Sequence, residues 1–262
     1  MDITGSHVLL TGASGGLGHA LAGALAARGA RLTLTGRRTD VVDALAQKLD
    51  ATSISVDLSE PDGPARLLEN AGQVDILIAN AALPASGEVS EYSTEQIDRA
   101  LAVNLRAPIL LAKIAAEQMI LRGHGHLVFM SSLSGKSASA RTALYNATKF
   151  GIRGFALGLR EDLRPKGIGV SSVFPGPVRD AGMVADSAVA LPRLGTRSAD
   201  QVAQATIRAI EKNRAEVTVA PLALQIATLL GGFAPDAAAT LARLSGSDKV
   251  VAAISEGQRG KR

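Results

Sequence analysis

The 262-residue chain contains no cysteine and no tryptophan. Without a thiol it can form no disulfide, present no cysteine nucleophile and hold no metal through thiolate, and a chain of this kind suits a reducing interior. Aromatic residues make up 3% of the sequence, with two tyrosines and five phenylalanines. That is too few for a stacking platform of the kind that binds single-stranded nucleic acid. Charge runs are missing as well. The formal net charge is +4, but Lys and Arg are scattered, which fits a small anionic ligand better than a DNA-binding face. The opening MDITGSHVLL has an acid at position 2 and too short an apolar run for a signal peptide, so the expected address is the cytoplasm. What is present is a globular composition, 47% apolar and 20% charged, in a length that suits one α/β domain with a large core.

Short β-rich runs alternate with longer segments of helical period. HVLLT (7–11), RLTLTG (31–36), SISV (53–56), VDILIAN (74–80), HLVFMSS (126–132), GVSSVFP (169–175) and EVTVA (216–220) read as seven strands. Helices are expected over 17–28, closed by Gly29, then over 39–49, near 61–71, over a long stretch 94–121, over 143–164, and from Ser198 to about 213. Ser93 with Gln96 and Ser198 with Gln201 have the spacing of capping boxes. Regular βα alternation argues for a parallel sheet covered by helices on both faces, with right-handed crossovers. No repeat or linker interrupts it before about residue 221.

TGASGGLG (11–18) follows the first strand and opens the first helix. Glycines at 12, 16 and 18 let backbone approach a ligand, and the helix N-terminus behind them favours an anion. The spacing is G-x-x-x-G-x-G instead of G-x-G-x-x-G, in the place where a dinucleotide pyrophosphate is held. Gly12-Ala13-Ser14-Gly15-Gly16 also spells the G-x-S-x-G elbow of α/β-hydrolases, with Asp57 or Asp75 and His124 or His126 as partners. That elbow belongs after a strand deep in the sheet and behind an oxyanion loop, so the phosphate reading is preferred. At the end of the second strand an acid would bond the 2′-hydroxyl of NAD, whereas an arginine accommodates the 2′-phosphate of NADP. Arg37 and Arg38 stand there with planar forks suited to a phosphate, and Asp40 and Asp43 already fall in the next helix. NADP(H) is therefore favoured over NAD(H).

Tyr145 lies four positions before Lys149 in YNATK, on a helical segment, so the two side chains share one face. Alone, that spacing is commonly a solvated surface pair. His124 and His126 in GHGH have neither an acid nor a third histidine beside them and read as a solvated loop, so no metal site is expected.

YNATK does not stand alone. With TGASGGLG, Asp57-Leu58 after the third strand, IANAA (78–82), Asn104 in AVNL, Ser132 in MSS and PGPV (175–178), the chain resembles the short-chain dehydrogenase/reductase family over about residues 5–220. The alternation and the resemblance together imply a single doubly wound Rossmann-type α/β domain with a seven-stranded parallel sheet; the domain is expected to span 1–262, with 221–262, beyond the family pattern, as a C-terminal helical extension. The resemblance places Gly12, Ser14, Gly16, Leu17 and Gly18 on the cofactor, Arg37 and Arg38 near its ribose, Asp57 and Leu58 at the adenine, and Asn80 in the cleft. Pro175, Gly176 and Val178 would flank the nicotinamide, which Tyr145 and Lys149 also reach. Ala79 and Ala82 stand where the family has a second Asn and a final Gly, and Asp180 stands where it has a Thr.

The implied reaction passes a hydride between nicotinamide and a carbonyl carbon, a step carried by the cofactor. The protein then handles the proton at oxygen. Tyr145 is the implied acid/base, with Lys149 and, in the oxidised complex, the positive ring lowering its pKa from near 10 toward the working range. Ser132 would place the substrate oxygen, and Asn104 would hold a water linking Lys149 to solvent. The expected function is an NADP(H)-dependent oxidoreductase for a carbonyl/secondary alcohol pair. The small and apolar residues of the expected lid, 181–197, suggest a small hydrophobic substrate. An NAD-dependent alcohol dehydrogenase of the same family and a cofactor-sensing binding protein on the same fold are the alternatives.

No charged residue occurs from Val217 to Pro235. Pro221, Gly231, Gly232 and Pro235 break this run below the roughly 20 apolar residues of a spanning helix. LALQIATLL (222–230) and AAATLARL (237–244) should form short apolar helices over the cleft and against a second subunit, in a homodimer or homotetramer. A bilayer interface is the rival surface.

Overall fold

In the computed structural model, which describes residues 1–182, 193–245, 247–258 and 260, the central strands are mostly apolar, as burial on both faces requires. The strands are β1 (His7–Thr11), β2 (Arg31–Thr35), β3 (Thr52–Ile54), β4 (Ile76–Ala79), β5 (Gly125–Met130), β6 (Ile168–Pro175) and β7 (Glu216–Val219). All pair in parallel, in the order β3-β2-β1-β4-β5-β6-β7. The winding reverses between β1 and β4. At such a switch point an open α/β sheet leaves a crevice beyond the carboxyl ends of its strands.

Helices α1 (Gly16–Ala26), α2 (Thr39–Leu49) and α7 (Ala199–Glu211) cover one face, where Leu21, Leu25, Val42, Val202 and Ile210 pack on Leu10, Leu34, Ile78 and Val128. Helices α3 (Gly63–Ala71), α5 (Ala107–Arg122) and α6 (Ala143–Leu163) cover the other, with Leu67, Leu111, Met119 and Ile152 against Leu9, Leu77, Leu127 and Phe129. Leu9 and Leu10 thus feed different cores, the alternation a two-sided sheet demands. Both capping boxes form: Ser93 Oγ accepts from Gln96 N at 3.3 Å, and Ser198 Oγ from Gln201 N at 3.2 Å.

The long helix expected over 94–121 is not continuous. It divides into α4 (Thr94–Leu101), a π turn at Ala102–Arg106, and α5. Pro108, just inside α5, has no amide hydrogen to donate to the preceding turn, and a π turn accommodates that loss. A third, smaller cluster forms beside this junction from Ala85, Tyr92, Ala100 and Leu144, with Ile97, Leu101 and Tyr145 packed against it.

The GHGH histidines divide. His124 is exposed as expected, 3.8 Å from Asp75 Oδ1, whereas His126 lies in β5, as the strand expected over 126–132 has it, and is not solvated, because the ladder to β6 already begins at Gly125. His126 is 1% exposed, with Nε2 2.9 Å from Ser171 Oγ, and Ser171 donates in turn to the Arg214 carbonyl at 2.6 Å. Burial pulls its pKa down to about 3. The unfolded chain, with a histidine near 6.5, therefore takes up this proton first as pH falls, and stability is lost from about pH 6.5 downward. Between about pH 7.5 and pH 5 this one residue should remove about 2 kcal/mol. Urea midpoints at those two values should show that decrement in the wild type and not in His126→Gln. Equal pH dependence in both proteins would refute it.

Beyond β7 the chain continues as α8 (Leu222–Phe233), α9 (Pro235–Ser245) and α10 (Ser247–Glu256); the last was expected only as part of the helical extension 221–262, with no bounds of its own. Among the described residues, no helix is long and apolar enough to cross a membrane.

Candidate active site

The glycine-rich turn at the end of β1 is shaped by contacts within the protein. Gly12 has φ 69°, and a Cβ there would lie 2.8 Å from Ala81 Cα. A Cβ on Gly18 would lie 2.2 Å from the Gly12 carbonyl oxygen, so only glycine lets α1 pack this closely on the turn. Asn80 Nδ2 donates to the carbonyls of Thr11 (3.0 Å) and Gly12 (3.2 Å), and Thr11 Oγ1 accepts from the amides of Asn80 and Ala81 at 3.0 Å each. Asn80 and Thr11 therefore tie the turn to β4, and Ala79 serves as core beneath it. The signal for the role of Thr11 in the sequence is a threonine closing an apolar strand at the head of TGASGGLG. At the start of α1 the N-cap Gly15 makes no side-chain cap and the first turn has no acid. The amides there suit an anion, so the turn fits a dinucleotide phosphate. Ser14 and Leu17 lie on this same turn and helix start.

At the far end of β2, Arg37 and Arg38 are exposed. The Arg38 guanidinium donates to the Ser14 carbonyl, which couples it to the turn. Asp57 Oδ1 accepts from Ser59 N at 2.8 Å and Ser59 Oγ at 2.7 Å, and Arg99 lies 3.8 Å from Oδ2. Burial pushes the Asp57 carboxyl up, but the Ser59 bonds and then the charges of Arg99 and Arg37 outweigh it, leaving the group below its ordinary value. Leu58 is turned into the core under α3.

At the other end, Ser132 follows β5 and its Oγ accepts from Ser134 N at 3.2 Å. On α6, Lys149 is 4% exposed, donates from Nζ to the Met130 carbonyl at 2.9 Å, and sits 5.6 Å from the centroid of the Tyr145 ring. Burial pulls Lys149 down to about 8. For Tyr145, burial pushes the phenol up and a hydrogen bond with Ser132 works the other way, with a net rise. The expected lowering by Lys149 does not act in the protein by itself: burial sets the direction for the phenol, and the ammonium is turned to Met130. Asn104 is buried within the π turn, its Oδ1 accepting from Leu83 N at 2.6 Å and its Nδ2 donating to Leu83 O at 2.9 Å. Its amide is committed to the loop that follows β4. Serine, tyrosine and lysine are brought together.

The sequence profile of the short chain dehydrogenase family matches residues 6–190. The chain belongs to the short-chain dehydrogenase/reductase family. A ketoacyl reductase of Nostoc sp., HetN, is 34% identical over 230 residues, covering 83% of this chain and 79% of the relative. A solved short-chain dehydrogenase of Sphingobium yanoikuyae in complex with NADPH is 27% identical, with a TM-score of 0.75 over 94% of this chain and 93% of that one. A bulky-bulky ketone specific alcohol dehydrogenase of Comamonas testosteroni is 28% identical, with a TM-score of 0.73 over 81% and 85%. The protein is an oxidoreductase of the NAD(P)-dependent, alcohol-type class on a doubly wound Rossmann-type domain.

In this short-chain dehydrogenase/reductase the PGPV segment leaves the sheet beside β7. Gly176 N donates to the Val219 carbonyl at 3.0 Å, and Val178 forms an isolated parallel bridge with Arg197. Asp180 Oδ1 accepts from Ala199 N at 2.8 Å, so the acid that replaces the family's Thr serves the start of α7. A Cβ on Gly16 would lie 2.9 Å from Ala181 Cβ, which brings this segment directly onto the glycine-rich turn. Of the expected lid, residues 183–192 lie outside the described residues.

Proposed function

We propose that this short-chain dehydrogenase/reductase uses NADP(H) and interconverts a ketone and a secondary alcohol, with Tyr145 as the acid/base. The observation that carries the reading is the convergence of Ser132, Tyr145 and Lys149 at the carboxyl end of β5, on the crevice opened by the switch point. When bound, the nicotinamide cofactor supplies or accepts the hydride. Ser132 donates its hydroxyl hydrogen to the substrate oxygen and fixes it beside Tyr145. Tyr145 gives its phenolic proton to that oxygen in reduction and takes it back in oxidation. Lys149, with its Nζ held by Met130, keeps a positive charge near the phenolate so formed. The π turn around Asn104 precedes a proline without an amide, and a carbonyl left over there would hold the water that connects Lys149 to solvent. Gly12, Ser14, Gly16, Leu17 and Gly18 cradle the phosphates. Arg37 and Arg38 receive the 2′-phosphate, Asp57 and the backbone of Leu58 the adenine, and Pro175, Gly176 and Val178 the nicotinamide.

Residues 1–262 form one domain in this reading, with 221–262 as its extension, in a cytoplasmic homodimer or homotetramer. The helix α8 carries Leu222, Ile226, Leu229, Leu230 and Phe233, each at least half exposed, opposite its buried Thr228 and Gly231. This is the face a second subunit would cover; light scattering that finds a monomer would remove the subunit reading.

The test of function is a panel of aliphatic, aryl and bulky ketones, with the matching alcohols, followed by NADPH absorbance. The bulky ketones named for the Comamonas relative belong in it. Turnover of at least one ketone with NADPH is expected. Cofactor binding without turnover across the panel would favour the sensing protein instead.

A further inference from the structure

Glu216, the first residue of β7, receives two cations from opposite sides. Lys136 Nζ lies 2.8 Å from Oε2, and Arg153 donates from Nε to Oε1 at 2.7 Å and from Nη2 to Oε2 at 3.3 Å. The three side chains are 12%, 33% and 21% exposed for lysine, arginine and glutamate. Lys136 Nζ lies 4.1 Å from the centroid of the Phe174 ring and Arg153 Cζ 5.8 Å from it, and Lys136 also donates to Thr218 Oγ1 at 3.1 Å. An isolated surface pair contributes little. This one is forked, partly buried and shared between three elements and an aromatic ring, which restricts the geometry far more.

The sequence positions of the two cations give the network its meaning. Lys136 comes four residues after Ser132, at the end of the short turn Leu133–Gly135 that Ser132 caps. Arg153 comes four residues after Lys149 on α6, hence one turn further along the same face. One carboxylate therefore grips both the turn that carries Ser132 and the helix that carries Tyr145 and Lys149. We propose that Glu216 is a positioning residue that sets the separation of Ser132 from Tyr145 and Lys149. The inference rests on the assignment of those three residues above. Without the carboxylate, Lys136 and Arg153 would face each other as like charges beside Phe174, and the turn and the helix would move apart.

The test measures kcat, ketone KM and NADPH affinity, with the thermal midpoint, on a ketone of the panel that the wild type reduces. Glu216→Gln should lower kcat/KM about tenfold or more, since misplacement by about an ångström costs that and beyond, while NADPH affinity falls much less, because none of the three ion-paired side chains belongs to the glycine-rich turn or to the arginines after β2 that would hold the phosphates. Lys136→Gln, which releases the Ser132 turn, should act mainly by raising KM. Arg153→Gln, which releases the Tyr145 helix, should act mainly by lowering kcat. Glu216→Asp keeps the charge on a shorter arm and should give an intermediate loss even if the Gln variant folds poorly. Unchanged kcat/KM in folded Glu216→Gln or Glu216→Asp would overturn the proposal, as would losses that merely track the thermal midpoint and NADPH affinity. Tyr145→Phe separates the two levels: an active Tyr145→Phe, or no ketone reduced at all, removes the assignment of the trio, whereas an inactive Tyr145→Phe beside a normal Glu216→Gln removes this inference alone.

Discussion

Tyr145→Phe should lower kcat for ketone reduction by about two to four orders of magnitude, the range general acid catalysis contributes, and leave NADPH affinity within a few fold. The ring packs against the cluster of Ala85, Tyr92, Ala100 and Leu144, and phenylalanine keeps that packing. What disappears is the hydroxyl beside Ser132. Steady-state rates and an NADPH titration on the same preparation decide it, and near-normal turnover would sink the mechanism. The chain has two tyrosines and no tryptophan, so ultraviolet absorbance follows phenolate formation with little background. Tyr92 is buried and donates to the Ser86 carbonyl at 3.0 Å. Since burial holds the Tyr145 phenol high in the protein alone, NADP⁺ should bring one ionisation to lower pH in the wild type and none in Tyr145→Phe.

Arg37→Asp should cost roughly 10- to 150-fold in NADPH affinity, because a charge-assisted bond to a phosphate is worth about 1.5–3 kcal/mol. It should also improve NADH relative to NADPH, since a carboxylate at the end of β2 suits a ribose hydroxyl. Arg37 is the stronger candidate of the adjacent pair. Its charge already acts on Asp57, whereas Arg38 is turned back to the Ser14 carbonyl. Fluorescence titrations of both cofactors against both proteins give the ratio directly. A wild type that binds NADH and NADPH equally well would show that Arg37 does not select.

The sheet could be read from the chain because strands buried on both faces leave room for little besides Val, Leu, Ile and Thr. Strand ends were less legible: hydrophobicity marks burial, and only pairing decides where a ladder stops. Thus Val74 and Asn80 flank β4 without joining it, and β3 is the short edge Thr52–Ile54. His126 was misread for a related reason, since nothing in GHGH announces Ser171 as a buried partner from a strand 45 positions away. For the candidate site, the spacing of Tyr145 and Lys149 located the helix face. The dominance of burial over Ser132 at the phenol needed coordinates, as did the two cations converging on Glu216. The glycines of TGASGGLG were legible as necessary, but Gly12 and Gly18 answer first to Ala81 and to the turn's own carbonyl.

The π turn between α4 and α5 has a consequence for how one stripe of apolar residues is shared. On an uninterrupted helix Ile97, Ala100 and Leu101 would line up with Leu111, Ala115 and Met119, in phase along a single face. The one residue inserted by the π turn shifts that phase by about 100°. Leu111, Ala115 and Met119 stay on the sheet, while Ile97, Ala100 and Leu101 rotate toward Leu144 and the Tyr145 ring. A uniform periodic pattern is thereby split between two destinations, the floor of the sheet and the underside of the tyrosine. Its only mark in the sequence is a proline six residues into what looks like unbroken rhythm after Ala102.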